Sequence, residues 1–287
     1  MKKVVITGAC GNLGTKLGTH LREEWEVVGI EHPSFVKPRP YAVVEGDVAR
    51  RGAWEGALDG CDVVVHFSAV NPYPNASWQE AAETMSHAFH VFLAAEARGV
   101  KRVVLASSNH VYGGYKDDDA HGPIRPSDPP RCGTFLLDDV DRQKSGDAVA
   151  YAAAKLAAER AGEAVAARGN CEVVVLRVGW CQPGDNLPQT MSASGTPAQF
   201  QNQVDDDDES AATQPSTDDA WFRQMWLSND DFLALFTAAL DVDLPQGKSF
   251  VAVNAMSRNA GARWSLRETE EILKVAPKDD STALSAV

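Results

Sequence analysis

Tyr151 and Lys155 stand four residues apart at the start of a stretch, Tyr151–Arg168, whose composition predicts a helix. That spacing puts the two side chains on one helical face, a turn apart. A free phenol has a pKa of about 10, and a neighbouring ammonium favours its ionised form. The pair is therefore equipped to take a proton, with Tyr151 as the base, its acidity expected to rise through Lys155. The segment Ala106-Ser107-Ser108-Asn109-His110 closes a predicted parallel strand. It thus lies at the edge where open α/β sheets bind their ligands. A serine hydroxyl there, Ser107 or Ser108, can hold a reacting oxygen beside the tyrosine.

A second constellation opens the chain. The first strand runs into Thr7-Gly8-Ala9-Cys10-Gly11-Asn12-Leu13-Gly14, followed at once by an amphipathic helix. Gly8 permits a tight turn, Gly11 lets backbone N–H groups approach a pyrophosphate, and Gly14 allows close helix packing, with the helix N-terminus facing the anion. Asn12 and Leu13 lie in the same turn. The second strand ends at Glu31-His32, the distance from the glycines at which a carboxylate bonds adenosine ribose hydroxyls. A carboxylate there repels a 2′-phosphate, and no arginine is evident nearby, so NAD is expected rather than NADP, its oxidised nicotinamide joining Lys155 in favouring the Tyr151 phenolate. Asp47-Val48 follows the third strand, where Asp47 is placed either to accept from the adenine amine or to cap a turn. His66-Phe67-Ser68-Ala69 ends the fourth and is expected along the dinucleotide.

The elements that must position these groups are legible as apolar, β-branched runs at Lys3–Thr7, Glu26–Ile30, Ala42–Glu45, Val63–Phe67, Arg102–Ala106 and Glu172–Val178, with a later one at Ser249–Val253. Helical stretches, Gly14–Glu24, Trp78–Arg98 and Tyr151–Arg168, alternate with them. That rhythm predicts an α/β, Rossmann-type, doubly wound parallel sheet covered on both faces. Residues 1–180 are expected to form the dinucleotide-binding domain with the catalytic groups, and 181–287 a smaller substrate-binding region. Two segments interrupt the rhythm: Gly114–Gly146, rich in Pro and Asp, and an acidic insertion over about 182–220 that carries Asp205–Glu209.

Composition narrows the function further. The 287 residues carry 27 Lys+Arg against 40 Asp+Glu, a formal charge of −13 that argues against nucleic acid and anionic membrane surfaces as partners. The five cysteines show no C-x-x-C pairing, so neither a zinc ribbon nor a disulfide framework is expected, and no other metal-ligand spacing appears. The opening MKKVVITGACG lacks the apolar core of a signal peptide, and no apolar run reaches a membrane-spanning length. A cytoplasmic protein is expected, with homo-oligomerisation left open.

Together T-G-x-x-G-x-x-G, the acid after the second strand, the serine ending the fifth and Tyr-x-x-x-Lys resemble the extended short-chain dehydrogenase/reductase superfamily, the NAD-dependent epimerases and dehydratases, over residues 1–180. By its position before Val111-Tyr112-Gly113, Ser108 matches that superfamily's catalytic serine. More narrowly, Ser107-Ser108-Asn109-His110, Leu176-Arg177-Val178-Gly179-Trp180-Cys181 and Met225-Trp226-Leu227-Ser228-Asn229-Asp230-Asp231-Phe232 resemble uronate dehydrogenase and archaeal NAD-dependent glucose-6-phosphate dehydrogenase. The resemblance implies oxidation of the anomeric carbon of an aldose bearing an anionic group, giving a lactone. It also implies that Asn109 and His110 contact sugar hydroxyls and that Arg223 binds the anion, although Arg223 stands three residues before Trp226 where the family has about five. Asn71 is a further candidate for the pocket, with a turn role beside Pro72 as its alternative. Thr84 replaces an asparagine that organises a proton path in relatives, and is expected to hold that water less fully. Two other readings share these motifs: a nucleotide-sugar epimerase or dehydratase with tightly bound NAD, and a non-enzymatic NAD-binding regulator.

Overall fold

A computed structural model describes residues 1–70, 76–116, 118–133, 148–190 and 220–283. Its centre is a seven-stranded sheet built from β1 (Lys3–Thr7), β2 (Glu26–Glu31), β3 (Ala42–Glu45), β4 (Val63–His66), β5 (Arg102–Ser108), β6 (Glu172–Val178) and β7 (Phe250–Ala255). The order is β3-β2-β1-β4-β5-β6-β7, and every neighbouring pair is parallel. The doubly wound sheet expected from the β-branched runs is the one observed. Strand order reverses between β1 and β4, so the crevice for a ligand opens at the carboxyl ends of those two strands.

Among the described residues the α-helices are α1 (Asn12–Leu21), α2 (Trp78–Ala97), α3 (Val149–Ala167), the short α4 (Ala220–Gln224), α5 (Asn229–Asp241) and α6 (Arg267–Leu273). One face of the sheet packs Val4, Ile6, Val104 and Val174 against Leu17 and Leu21 of α1 and Phe232, Leu235 and Phe236 of α5. The other packs Val5, Val64, Val103 and Val175 against Ala88, Val91 and Phe92 of α2 and Ala158 and Ala166 of α3. Burial on both faces explains why the strands read as continuous apolar runs instead of alternating ones. Residues beyond 180 share this core, because β7 pairs with β6 and α5 covers the same face as α1. The described part of the first interruption is packed as well: Tyr115 and Ile124 are buried, and Ile124 N–H donates to Arg263 O at 2.6 Å. Most of the acidic insertion falls outside the described residues. Among the described residues, no helix is long and apolar enough to cross a membrane.

Candidate active site

β5 runs two residues further than its apolar pattern suggested, and carries Ser108 to its last position, beside Val178 of β6. α3 starts two residues before Tyr151 and presents that residue in its first turn. The two side chains meet in a hydrogen bond. Ser108 Oγ also accepts from His110 N–H at 3.2 Å and donates to Asn109 Oδ1 at 3.3 Å. Lys155 Nζ donates to Ala106 O at 2.9 Å and lies 5.7 Å from the centre of the Tyr151 ring. The expected serine, tyrosine and lysine are thus brought together at the carboxyl edge of the sheet.

Burial sets their ionisation in the chain alone. Burial pushes the Tyr151 phenol up to about 12, with the Ser108 hydrogen bond opposing, so its acidity is lowered in the chain alone. Burial likewise pulls Lys155 down to about 8, against the charge of Glu159. The spacing of the pair was legible, but the cost of ionising a phenol away from water comes from tertiary packing, which spacing does not show.

The glycine turn has the shape of a phosphate cradle. Gly8 is left-handed at φ +68, and a Cβ there would lie 3.0 Å from the Ser68 nitrogen at the end of β4. A Cβ at Gly14 would stand 2.3 Å from Gly8 O, whereas at Gly11 its nearest neighbour is Gly8 O at 3.3 Å. The α1 N-terminus therefore approaches the strand ends closely and leaves the Gly11 face open, which fits a bound dinucleotide pyrophosphate. Glu31 braces this turn, accepting from Cys10 N–H at 2.7 Å and His32 N–H at 3.0 Å. Each carboxylate oxygen keeps a lone pair for a ribose hydroxyl. Contrary to the sequence reading, an arginine is present here. Arg39 Nη2 donates to Cys10 O at 2.8 Å, so Glu31 and Arg39 hold the two backbone groups of one loop residue.

The remaining cofactor-side residues divide. Asn12 spends its side-chain amide on Cys181 O at 2.8 Å, and Leu13 packs on the core, leaving their backbone at the helix N-terminus. His32 Nδ1 accepts from Ser34 N–H at 3.3 Å. Asp47 Oδ1 accepts from Ala49 N–H at 2.9 Å, and Val48 is buried. Phe67 packs its ring on Phe232 and Phe236, at 6.1 and 5.1 Å. Ser68 Oγ meets His87 Nδ1 at 3.1 Å, and Ala69 is half-buried beside it. Thr7 Oγ1 and His66 Nδ1 join β1 to β4 at 2.7 Å.

Of the residues expected to meet substrate, Asn109 donates to the Met225 thioether. The buried His110 ring meets Tyr151 edge-on at 6.3 Å. Burial pushes the His110 imidazole down to about 3. Arg223 is half-buried on α4, two residues before Met225, so its segment abuts the site through Asn109. Asn71 lies outside the described residues. The Thr84 hydroxyl accepts from Val70 N–H at 3.0 Å and donates to Val70 O at 3.2 Å, tethering the loop after β4. Sequence reasoning missed Arg39 and the buried pair Glu159–Arg177. The spacing of Glu159, one turn beyond Lys155, was the available signal.

Residues 4–181 match the NAD dependent epimerase/dehydratase family. The chain belongs to that family. It is therefore an NAD-dependent enzyme, as the glycine turn and the Ser-Tyr-Lys set led us to expect. Over 99% of its length, and 99% of the relative's, it is 30% identical to an L-arabinose 1-dehydrogenase (NAD(P)(+)) of Haloferax volcanii. It is 35% identical to a uronate dehydrogenase of Pseudomonas putida over 43% of this chain and 48% of that one. An NAD-dependent glucose-6-phosphate dehydrogenase of Haloferax volcanii is 25% identical over 97% of this chain and 94% of its own. The solved uronate dehydrogenase from Agrobacterium tumefaciens shares the fold at a TM-score of 0.65 and 22% identity, covering 99% of this chain and 87% of that one.

Proposed function

We propose that this member of the family is an NAD-dependent sugar dehydrogenase that oxidises the anomeric carbon of an aldose to a lactone. The observation that carries the reading is the Ser108–Tyr151 hydrogen bond, with Lys155 one turn away, at the strand edge that also holds the glycine turn. Bound NAD would supply the hydride acceptor, held by the α1 N-terminus, Glu31 and Lys155. Ser108 orients the C1 hydroxyl, and Tyr151, as the phenolate that the positive charges of Lys155 and of bound oxidised nicotinamide would favour against burial, accepts its proton, passing from the bond with Ser108 to one with the sugar. His110, kept neutral by burial, offers a hydrogen bond without a charge.

The aldose substrate class is supported by the similarity to an L-arabinose 1-dehydrogenase over the whole chain and to uronate dehydrogenases over part of it. Arg223 beside Met225 supports an anionic substituent, since a guanidinium meets carboxylate and phosphate alike. For the cofactor, Glu31 supports NAD, and Arg39 gives a 2′-phosphate a partner, so NADP is a second, poorer acceptor. The test is NAD reduction with L-arabinose, glucuronate, galacturonate and glucose 6-phosphate. Stoichiometric NADH formation supports the dehydrogenase. A purified protein that retains its NAD and reduces none in exchange for sugar would instead support the epimerase reading.

A further inference from the structure

The face of α3 that bears Tyr151 and Lys155 carries a third ionisable side chain that the proposed reaction does not use. Glu159 stands four residues beyond Lys155, as Lys155 stands four beyond Tyr151, so the three form a ladder one turn apart. Lys155 is 5% and Glu159 2% exposed. The Glu159 carboxylate accepts from Arg177 Nε at 3.0 Å and Nη2 at 2.7 Å on β6, and from the Ser107 hydroxyl on β5. Arg177 Nη1 is engaged elsewhere, with the Tyr112 hydroxyl and with Pro126 O at 2.9 Å.

We propose that Glu159 is a positioning residue: it keeps Lys155 an ammonium in an apolar interior and, through Ser107, sets β5 against α3 so that Ser108 meets Tyr151. The proposal rests on the Ser-Tyr-Lys reading of the site. An ammonium buried without a countercharge gives up its proton. The groups facing Lys155 are Tyr151 and Glu159 from α3, the Ala106 carbonyl from β5, His66 from β4 and His87 from α2. Both histidines are held toward neutrality, chiefly by burial, and the Ala106 carbonyl is neutral. Tyr151 stays neutral up to about 12, so the negative charge opposing burial is that of Glu159. Ser107, which precedes the reacting serine, would then be a strap of the site and not a spare hydroxyl.

Lysine labelled with 13C at Cε gives the readout, with the Lys155 resonance assigned by its loss in Lys155→Met. We expect Glu159→Gln, which keeps hydrogen-bonding capacity but removes charge, to lower the Lys155 titration midpoint by at least about one pH unit. Glu159→Asp should retain most of the midpoint. Should a lone buried guanidinium prevent Glu159→Gln from folding, Glu159→Gln/Arg177→Met, which leaves no lone guanidinium, carries the same measurement. With a sugar that is turned over, the alkaline limb of the kcat profile should move down by the same interval. An unchanged midpoint in a folded variant, with kcat lowered equally at every pH, would reduce Glu159 to a structural brace and overturn the proposal. The titration needs no sugar. A wild-type protein inactive on every aldose therefore counts against the proposed reaction, and not against this role.

Discussion

The phenol of Tyr151, in the first turn of α3, is hydrogen-bonded to Ser108, the last residue of β5. In the proposed reaction, the bond would place a proton acceptor and an orienting hydroxyl where one substrate oxygen can touch both. Replacing Tyr151 with Phe keeps the ring against His110 and removes only the acceptor. The kcat of Tyr151→Phe should fall by at least about a hundredfold, the scale of general acid–base catalysis. Titration with NAD should give a Kd within about twofold of wild type, because the glycine turn and Lys155 are untouched. Equal turnover in the variant would remove Tyr151 as the base.

His110 makes a claim about acid stability. Burial depresses its imidazole to about 3 in the folded chain, while in the unfolded chain it titrates near the usual value of about 6.5. The folded state therefore disfavours the proton. The stability this contributes is fully present above the unfolded pKa and is lost as pH falls below it. Between pH 8 and pH 5 the loss attributable to His110 is about 2 kcal/mol. Urea denaturation of wild type and His110→Gln at both pH values checks this. The variant is expected to be less stable at pH 8 and to lose less on acidification.

What was legible in the sequence was local. Burial on both faces writes a strand as a run of valines, so β4 and β6 announced themselves, and a four-residue spacing on a helix placed Tyr151 with Lys155. What stayed hidden depended on residues distant in the chain. Arg39 follows Glu31 through a 3-10 turn with no periodic pattern, and nothing in that stretch says its guanidinium folds back onto Cys10. The pairing of Glu159 with Arg177 required α3 and β6 to be placed first. The burial that raises the Tyr151 pKa in the chain alone was hidden for the same reason, since desolvation belongs to the packed molecule while the neighbouring charge could be read from spacing.

Two glycines of the opening turn should fail in different ways. An alanine at Gly14 would drive its methyl to 2.3 Å from Gly8 O and 2.8 Å from Ala9 Cα, both backbone atoms that cannot give way separately. Gly14→Ala is expected to lose about 2 kcal/mol or more of stability, as backbone clashes do, and NAD binding with it. An alanine at Gly11 meets only Gly8 O, at 3.3 Å. Gly11→Ala should keep its Tm within a few degrees, yet weaken NAD at least about tenfold, because its methyl occupies the side open to the pyrophosphate. Thermal melts with and without NAD separate the two; equal behaviour would mean that the turn does not cradle phosphate.

On the proposed cofactor placement, Arg39 and Glu31 would make opposite demands on the adenosine ribose, one drawing a 2′-phosphate and the other repelling it. Removing the guanidinium with Arg39→Ala should raise the KM for NADP by about tenfold, the worth of one charge-assisted contact, and change that for NAD by less than about threefold. The reverse change, Glu31→Gln, removes the repulsion while keeping an oxygen to accept from Cys10 N–H. It should narrow the preference for NAD, with NADP gaining. Steady-state kinetics with both cofactors, one sugar and the two variants decide the matter. An Arg39→Ala protein that loses NAD and NADP use equally would mean that this arginine braces the glycine turn through Cys10 and has no part in reading the ribose.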